Sequence, residues 1–107
     1  MHLVMLSTGE YSDRTEYQLG VTSDEALAKK IVGRIEQLIG PVQQAKSEWR
    51  YPDNPSWEAF LEARKAASRA LLKEFPQINV EEYSKDSLIE DDSTAWVVQV
   101  PVLADQP

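Results

Sequence analysis

The chain has 107 residues, with 18 Asp and Glu against 11 Lys and Arg, a formal net charge of −7, no cysteine and one histidine. At 42% apolar and 27% charged it is one domain with material for one modest core. The lack of cysteine excludes disulfide scaffolds, cysteine-ligated metal and thiol catalysis, and the acid excess argues against nucleic-acid or anionic-membrane binding, which both use Lys and Arg.

Residues 2–8 are predicted as a strand that is apolar on both faces, hence central. Gly9 to Arg14 is a turn by composition, and residues 15–21 alternate Tyr17, Leu19 and Val21 with polar partners as a half-buried strand, completing a hairpin. In its loop, Tyr11, Ser12, Asp13 and Arg14 form a candidate recognition tip; as a structural turn, Ser12 and Asp13 would instead bond backbone N–H groups. Thr22 and Glu25 have the spacing of a capping box, opening a helix with Leu27, Ala28, Ile31, Val32, Ile35, Leu38 and Ile39 on one arc. Gly40-Pro41 is expected to end or kink it, with a short second helix to Trp49.

A loop follows, in which Trp49, Arg50 and Tyr51 precede Pro52 and Pro55. Aromatic and arginine residues are enriched in protein-interface hot spots, so this loop is a candidate partner surface; the alternative is that the tryptophans cap the core. Asn54 as cap and Pro55 in the first turn start a helix to residue 74. It carries Arg64 at the centre of its large apolar arc, where the guanidinium either reaches out along its stem or pairs with one carboxylate as a buried ion pair, or else forms a partly buried site for an anion or partner. Ala59, Ala63, Ala66 and Ala70 form a narrow strip beside that arc, a route to close packing within the chain or to a homodimer.

The C-terminal part reads as strand 78–84, acidic turn, strand 94–103, with Pro101 favouring an edge position and residues 104–107 a tail. The charge is concentrated here. Residues 1–50 carry seven acids and six bases, whereas Glu81, Glu82, Asp86, Glu90, Asp91 and Asp92 face only Lys85. Glu81, Glu82, Glu90, Asp91 and Asp92 are therefore candidates for a strip that docks on a basic partner, against the plainer reading of a solvated turn. The predicted fold is a two-layer α+β sandwich in ββααββ order, an antiparallel sheet of about four strands with two long helices on one face.

Catalytic motifs are absent from the sequence. His2 stands at the N-terminus with no G-x-S-x-G, and no phosphate loop or calcium-loop pattern occurs. No catalytic, cofactor or metal residue is therefore nominated. With no apolar run near the roughly 20 residues that span a bilayer, and no basic flank to the apolar start, a cytoplasmic, membrane-free protein is expected.

The segment Ser7-Thr8-Gly9-Glu10-Tyr11-Ser12-Asp13 between two strands, followed by Asp24-Glu25-Ala26 at a helix start, resembles a group of small uncharacterised bacteriophage and mobile-element proteins that carry a "G-x-Y-S-D" loop. The resemblance covers about the first 40 residues, and Arg14 departs from it where the group often has an aromatic residue. It implies a context, the host cytoplasm, and no activity. These features suggest a non-enzymatic accessory protein that binds another protein, with no direct nucleic-acid contact. Three other expectations stand beside it: an inhibitor of a host defence or nucleic-acid-handling complex through the acidic turn, an enzyme of unrecognised type, and a homodimeric module.

Overall fold

The computed structural model describes residues 1–9, 12 and 14–101. Three strands, β1 (His2–Thr8), β2 (Thr15–Thr22) and β3 (Thr94–Gln99), form an antiparallel sheet in the order β2-β1-β3. Between β2 and β3 the chain makes two long helices, α1 (Glu25–Glu48) and α2 (Asn54–Glu74). The fold is α+β, and the central position of β1 follows from its sequence: Val4, Met5, Leu6, Ser7 and Thr8 are all buried.

The sheet has two unlike faces. Val4 and Leu6 turn towards the helices beside Val97, Ala95 and Tyr17, with which they are in register. Leu3 and Met5 turn the other way, beside Val98, Trp96 and Val21. A bulge at Val4/Met5 admits Leu19 as an extra residue, and the glycine that follows, Gly20, has a φ of +156° that a side chain would resist. Helix α1 crosses the inner face, in contact with all three strands, and α2 lies along α1. The helices are therefore stacked outward from the sheet, where both had been expected on its face.

Three other expectations are corrected. The first helix does not end at Gly40-Pro41 but runs to Glu48, absorbing the short second helix. Its apolar stripe explains why: Leu38, Ile39 and Val42 are buried and Ala45 packs against the core, while Pro41 sits on the exposed side. A proline inside a helix costs about 3 kcal/mol, and each large apolar side chain kept in the core returns about 1.5–3 kcal/mol. The caps also differ. Asp24 accepts from the Leu27 N–H and Asp53 from the Ser56 N–H, so each stands one or two residues from the expected cap. Thr22 instead accepts from the Asp24 N–H, as an extension of the strand end.

Residues 78–84 form no strand, which reduces the sheet from four strands to three and breaks the ββααββ order. Ile78 is buried and Val80 packs against the core, but among the described residues the only backbone link to the sheet is the Asn79 N–H to the Leu19 carbonyl at 3.4 Å. Glu82–Ser84 then turns as a 3₁₀ segment. What holds this part of the chain is the pair Leu88-Ile89, both fully buried among α1 and α2 residues. The last strand stops at Gln99; residues 102 and 103 of the expected strand, and the expected tail, lie outside the described residues.

Candidate protein-binding surface

The aromatic loop is where α1 gives way to α2. Trp49 closes α1, its N–H donating to the Lys46 carbonyl, and Asp53 opens α2. Arg50 works for the backbone: its guanidinium donates to the Ser47 and Trp49 carbonyls and its N–H to the Ser56 hydroxyl. The turn is thus fixed by polar contacts on its inner side, and the rings are left to the outside.

Those rings form a connected set. Trp49 and Trp57 lie 4.9 Å apart between centroids, Trp57 and buried Phe60 5.3 Å, and Trp49 and Tyr51 meet edge to face at 6.4 Å. Such offset and edge contacts suit the quadrupoles of the rings. Lys46 projects its ammonium over Trp49, Trp57 and Phe60, 4.9–5.9 Å from the ring centroids, so one side of the cluster already holds a cation. The other side is open. Trp49, Tyr51, Pro52, Asp53, Asn54 and Trp57 line a shallow depression of about 370 Å³. Tyr51 is 85% exposed and Trp57 37%.

Across Trp57, a second depression of about 210 Å³ is lined in part by Lys46, Arg64, Glu90, Asp91 and Asp92. Arg64, placed by sequence in the apolar arc, pairs there with Glu90 (Nη1 to Oε1, 3.0 Å), while its Nε is buried without a partner. The second Glu90 oxygen accepts from Thr8 Oγ1 at 2.9 Å, Ser93 Oγ donates to Thr8 Oγ1 at 3.0 Å, and Asp92 accepts from the Gly9 N–H. This network ties the end of β1 to α2.

The acidic stretch therefore differs from the projecting turn between two strands expected of it. Glu90 and Asp92 are engaged as above, Asp86 pairs with Arg69, and Glu82 pairs with Lys85 at 2.7 Å. The hydrogen bond and charge of Lys85 hold the Glu82 carboxyl below its ordinary pKa, and the hydrogen bond from Arg69 does the same for Asp86. Glu81 is exposed, and Asp91 offers its carbonyl to Gln43. The signal missed in the sequence was the apolar pair Leu88-Ile89 inside the acidic run, which draws the segment onto the helices.

At the hairpin, Arg14 donates to the carbonyls of Gly9 (2.6 Å) and Asp92 (3.2 Å) and to the Thr94 hydroxyl (3.0 Å), clipping the turn to the start of β3. Ser12 is exposed; Tyr11 and Asp13 lie outside the described residues. Of the alanine strip, Ala63 and Ala66 line a shallow apolar groove with Ala67, Leu38 and Pro41, Ala70 packs against the core, and Ala59 is exposed. The three candidate surfaces adjoin: the aromatic loop and Glu90–Asp92 lie on either side of Trp57, and the hairpin meets the Glu90–Asp92 side, where Gly9 lines the depression, Thr8 Oγ1 and the Gly9 N–H donate to the Glu90 and Asp92 carboxylates, and the Arg14 guanidinium donates to the Asp92 carbonyl.

Among the described residues, no group of three or more His, Cys, Asp or Glu side chains is disposed to hold a metal ion, and no helix is long and apolar enough to cross a membrane. Comparison of the chain with protein-family profiles, with curated proteins and with solved structures finds no match.

Proposed function

We propose that this is a non-enzymatic accessory protein that docks on a protein partner through the aromatic surface of Trp49, Tyr51 and Trp57. In the context implied by its resemblance to bacteriophage and mobile-element proteins, it would act in the host cytoplasm. One observation carries the reading: a side chain as large as Tyr51 stands 85% exposed on a turn whose polar groups are satisfied from within. Exposed aromatic residues at the rim of an open depression are the composition of interface hot spots, and keeping them in water has no stabilising role in the fold. Ring faces and the Asp53 carboxylate on an acidic chain favour a partner surface that presents arginine or lysine. The acids of residues 81–92 support this reading less, since four of the six are held by Lys85, Arg69, Arg64 and the end of β1.

The test is affinity capture from cells of the source organism, with wild-type and Tyr51→Ala baits side by side. Tyr51 is exposed enough for the variant to keep its fold. The expected result is a partner retained by the wild type, lost by at least tenfold on Tyr51→Ala and kept by Glu81→Gln. Equal recovery on wild-type and Tyr51→Ala baits refutes the reading.

A further inference from the structure

The two edges of the sheet are treated differently. The edge of β2 is guarded: it carries Glu16, it is broken by the bulge at Leu19, and the Leu19 carbonyl is taken by Asn79. Charges, bulges and covering loops are the usual protections of an edge strand. Among the described residues, strand β3 has none of these. No charged residue stands between Asp92 and Asp105 in the sequence, so the strand is neutral in a chain of net charge −7.

The ladder shows which groups are free. Val100 N–H donates to the Met1 carbonyl, and Trp96 and Val98 stand opposite Met5 and Leu3 in the same phase. Backbone groups of an antiparallel strand alternate between its two sides. Ala95, Val97 and Gln99 therefore direct their N–H and C=O groups away from β1, and among the described residues nothing pairs with them. Beside this edge, the outer face of the sheet carries half-buried Leu3 and Trp96 and the 38% exposed Val98 around Met5, which is buried, and among the described residues no helix lies over this face.

We propose that this edge pairs with β3 of a second copy of the chain, antiparallel, about a two-fold axis at Val97. In that register Val97 faces Val97 of the other copy, Ala95 faces Gln99, and all three outward-facing residues of each strand are paired. On the outer face Trp96 falls opposite Val98, an aromatic–β-branched cross-strand pair, and the outer faces of the two sheets become continuous. Two acidic chains repel least where neither carries charge, which is here. Pro101, with no N–H, ends the pairing on each side. Since the β2 edge is closed, assembly stops at a dimer of two three-stranded sheets and does not grow into a filament.

The test is sedimentation velocity of the full chain from about 10 µM to about 1 mM, the range suited to an interface smaller than the standard one of roughly 1,600 Å². The expected result is a monomer–dimer equilibrium that Val98→Glu weakens at least tenfold with an unchanged circular dichroism spectrum. Ala66→Glu, in the groove between the helices, is expected to leave it unchanged. Since the chain has no cysteine, Val97→Cys gives a direct check of register: paired residues lie about 5.5 Å apart between Cα atoms, within disulfide range. Under mild oxidation Val97→Cys should form a covalent dimer and Val21→Cys, on the β2 side, should not. A monomer throughout the range overturns the proposal. So does a dimer lost in Ala66→Glu and kept in Val98→Glu, or cross-linking by Val21→Cys in preference to Val97→Cys.

Discussion

Ser68 is fully buried in the middle of α2, and its hydroxyl makes two bonds with different consequences. It donates to the Arg64 carbonyl at 2.8 Å and accepts from the Ile89 N–H at 2.9 Å. The first is dispensable, because that carbonyl already has the helix as its partner. The second is the only acceptor shown for the Ile89 N–H, on a residue that is itself fully buried. Ser68→Ala leaves this donor buried without a partner, at a cost of about 1–3 kcal/mol. The better helix propensity of alanine offsets about 0.5 kcal/mol of that. The expected net loss is about 1–2 kcal/mol, or about 5–15 °C in Tm for a domain of this size. Urea unfolding at constant m-value measures it, with Ser47→Ala as the control. Ser47 makes a similar bond, to the Gln44 carbonyl at 2.7 Å, but is exposed and serves no buried donor, so its loss should stay within about 0.5 kcal/mol. Equal effects in the two variants refute the reasoning that Ser68 anchors the segment of Leu88 and Ile89.

Pro41 sits exposed within α1, and Pro41→Ala restores an N–H able to reach the Gln37 carbonyl; a gain of about 1–3 kcal/mol in urea unfolding is expected, and no gain would show that the helix is already relaxed around the proline. The carboxyls of Glu82 and Asp86 are held low by Lys85 and Arg69, as Glu25 is by Lys29. Such groups contribute stability that is complete above the ordinary carboxylate range and is lost as pH falls through their lowered folded values. Stability is therefore expected to be flat near neutral pH and to decline in acid, less steeply in Asp86→Asn than in wild type. An identical acid decline in both would remove the Arg69–Asp86 pair from the account.

Features set by local periodicity were legible in the sequence: β1 as a central strand, the β1–β2 hairpin, the apolar arc of α1 and the extent of α2. Arg64 was legible as a charge amid an apolar arc, but whether it reached solvent, met a carboxylate or formed an anion or partner site was open, and nothing local identified Glu90 as the partner. Pro41 misled because its local cost is overcome by tertiary burial of Val42 and its neighbours, which a single-helix reading does not count. Residues 78–84 misled because an alternation of Ile78 and Val80 fits a strand as well as it fits two isolated anchors. The acidic run read as a solvated turn because charges dominate its composition, yet two adjacent apolar residues decide where it lies. Of the candidate binding residues, Tyr51 is exposed and Trp49 half-buried, whereas Arg14 and Arg50 are bonded to backbone carbonyls.

Strand β1 also sets the order in which the fold can be completed. Its pairing with β2 closes a short loop, and α1 with α2 is nearly as local, but Met5 meets Trp96 across about ninety residues, a closure costing about 4 kcal/mol in chain entropy. During synthesis the hairpin and the helix pair can form while the second edge of β1 waits for β3 to emerge. Until then Leu3 and Met5 lack their cover from Val98 and Trp96. The β1–β3 ladder therefore follows the hairpin during synthesis, and the second edge of β1 stays open to mispairing until β3 has emerged.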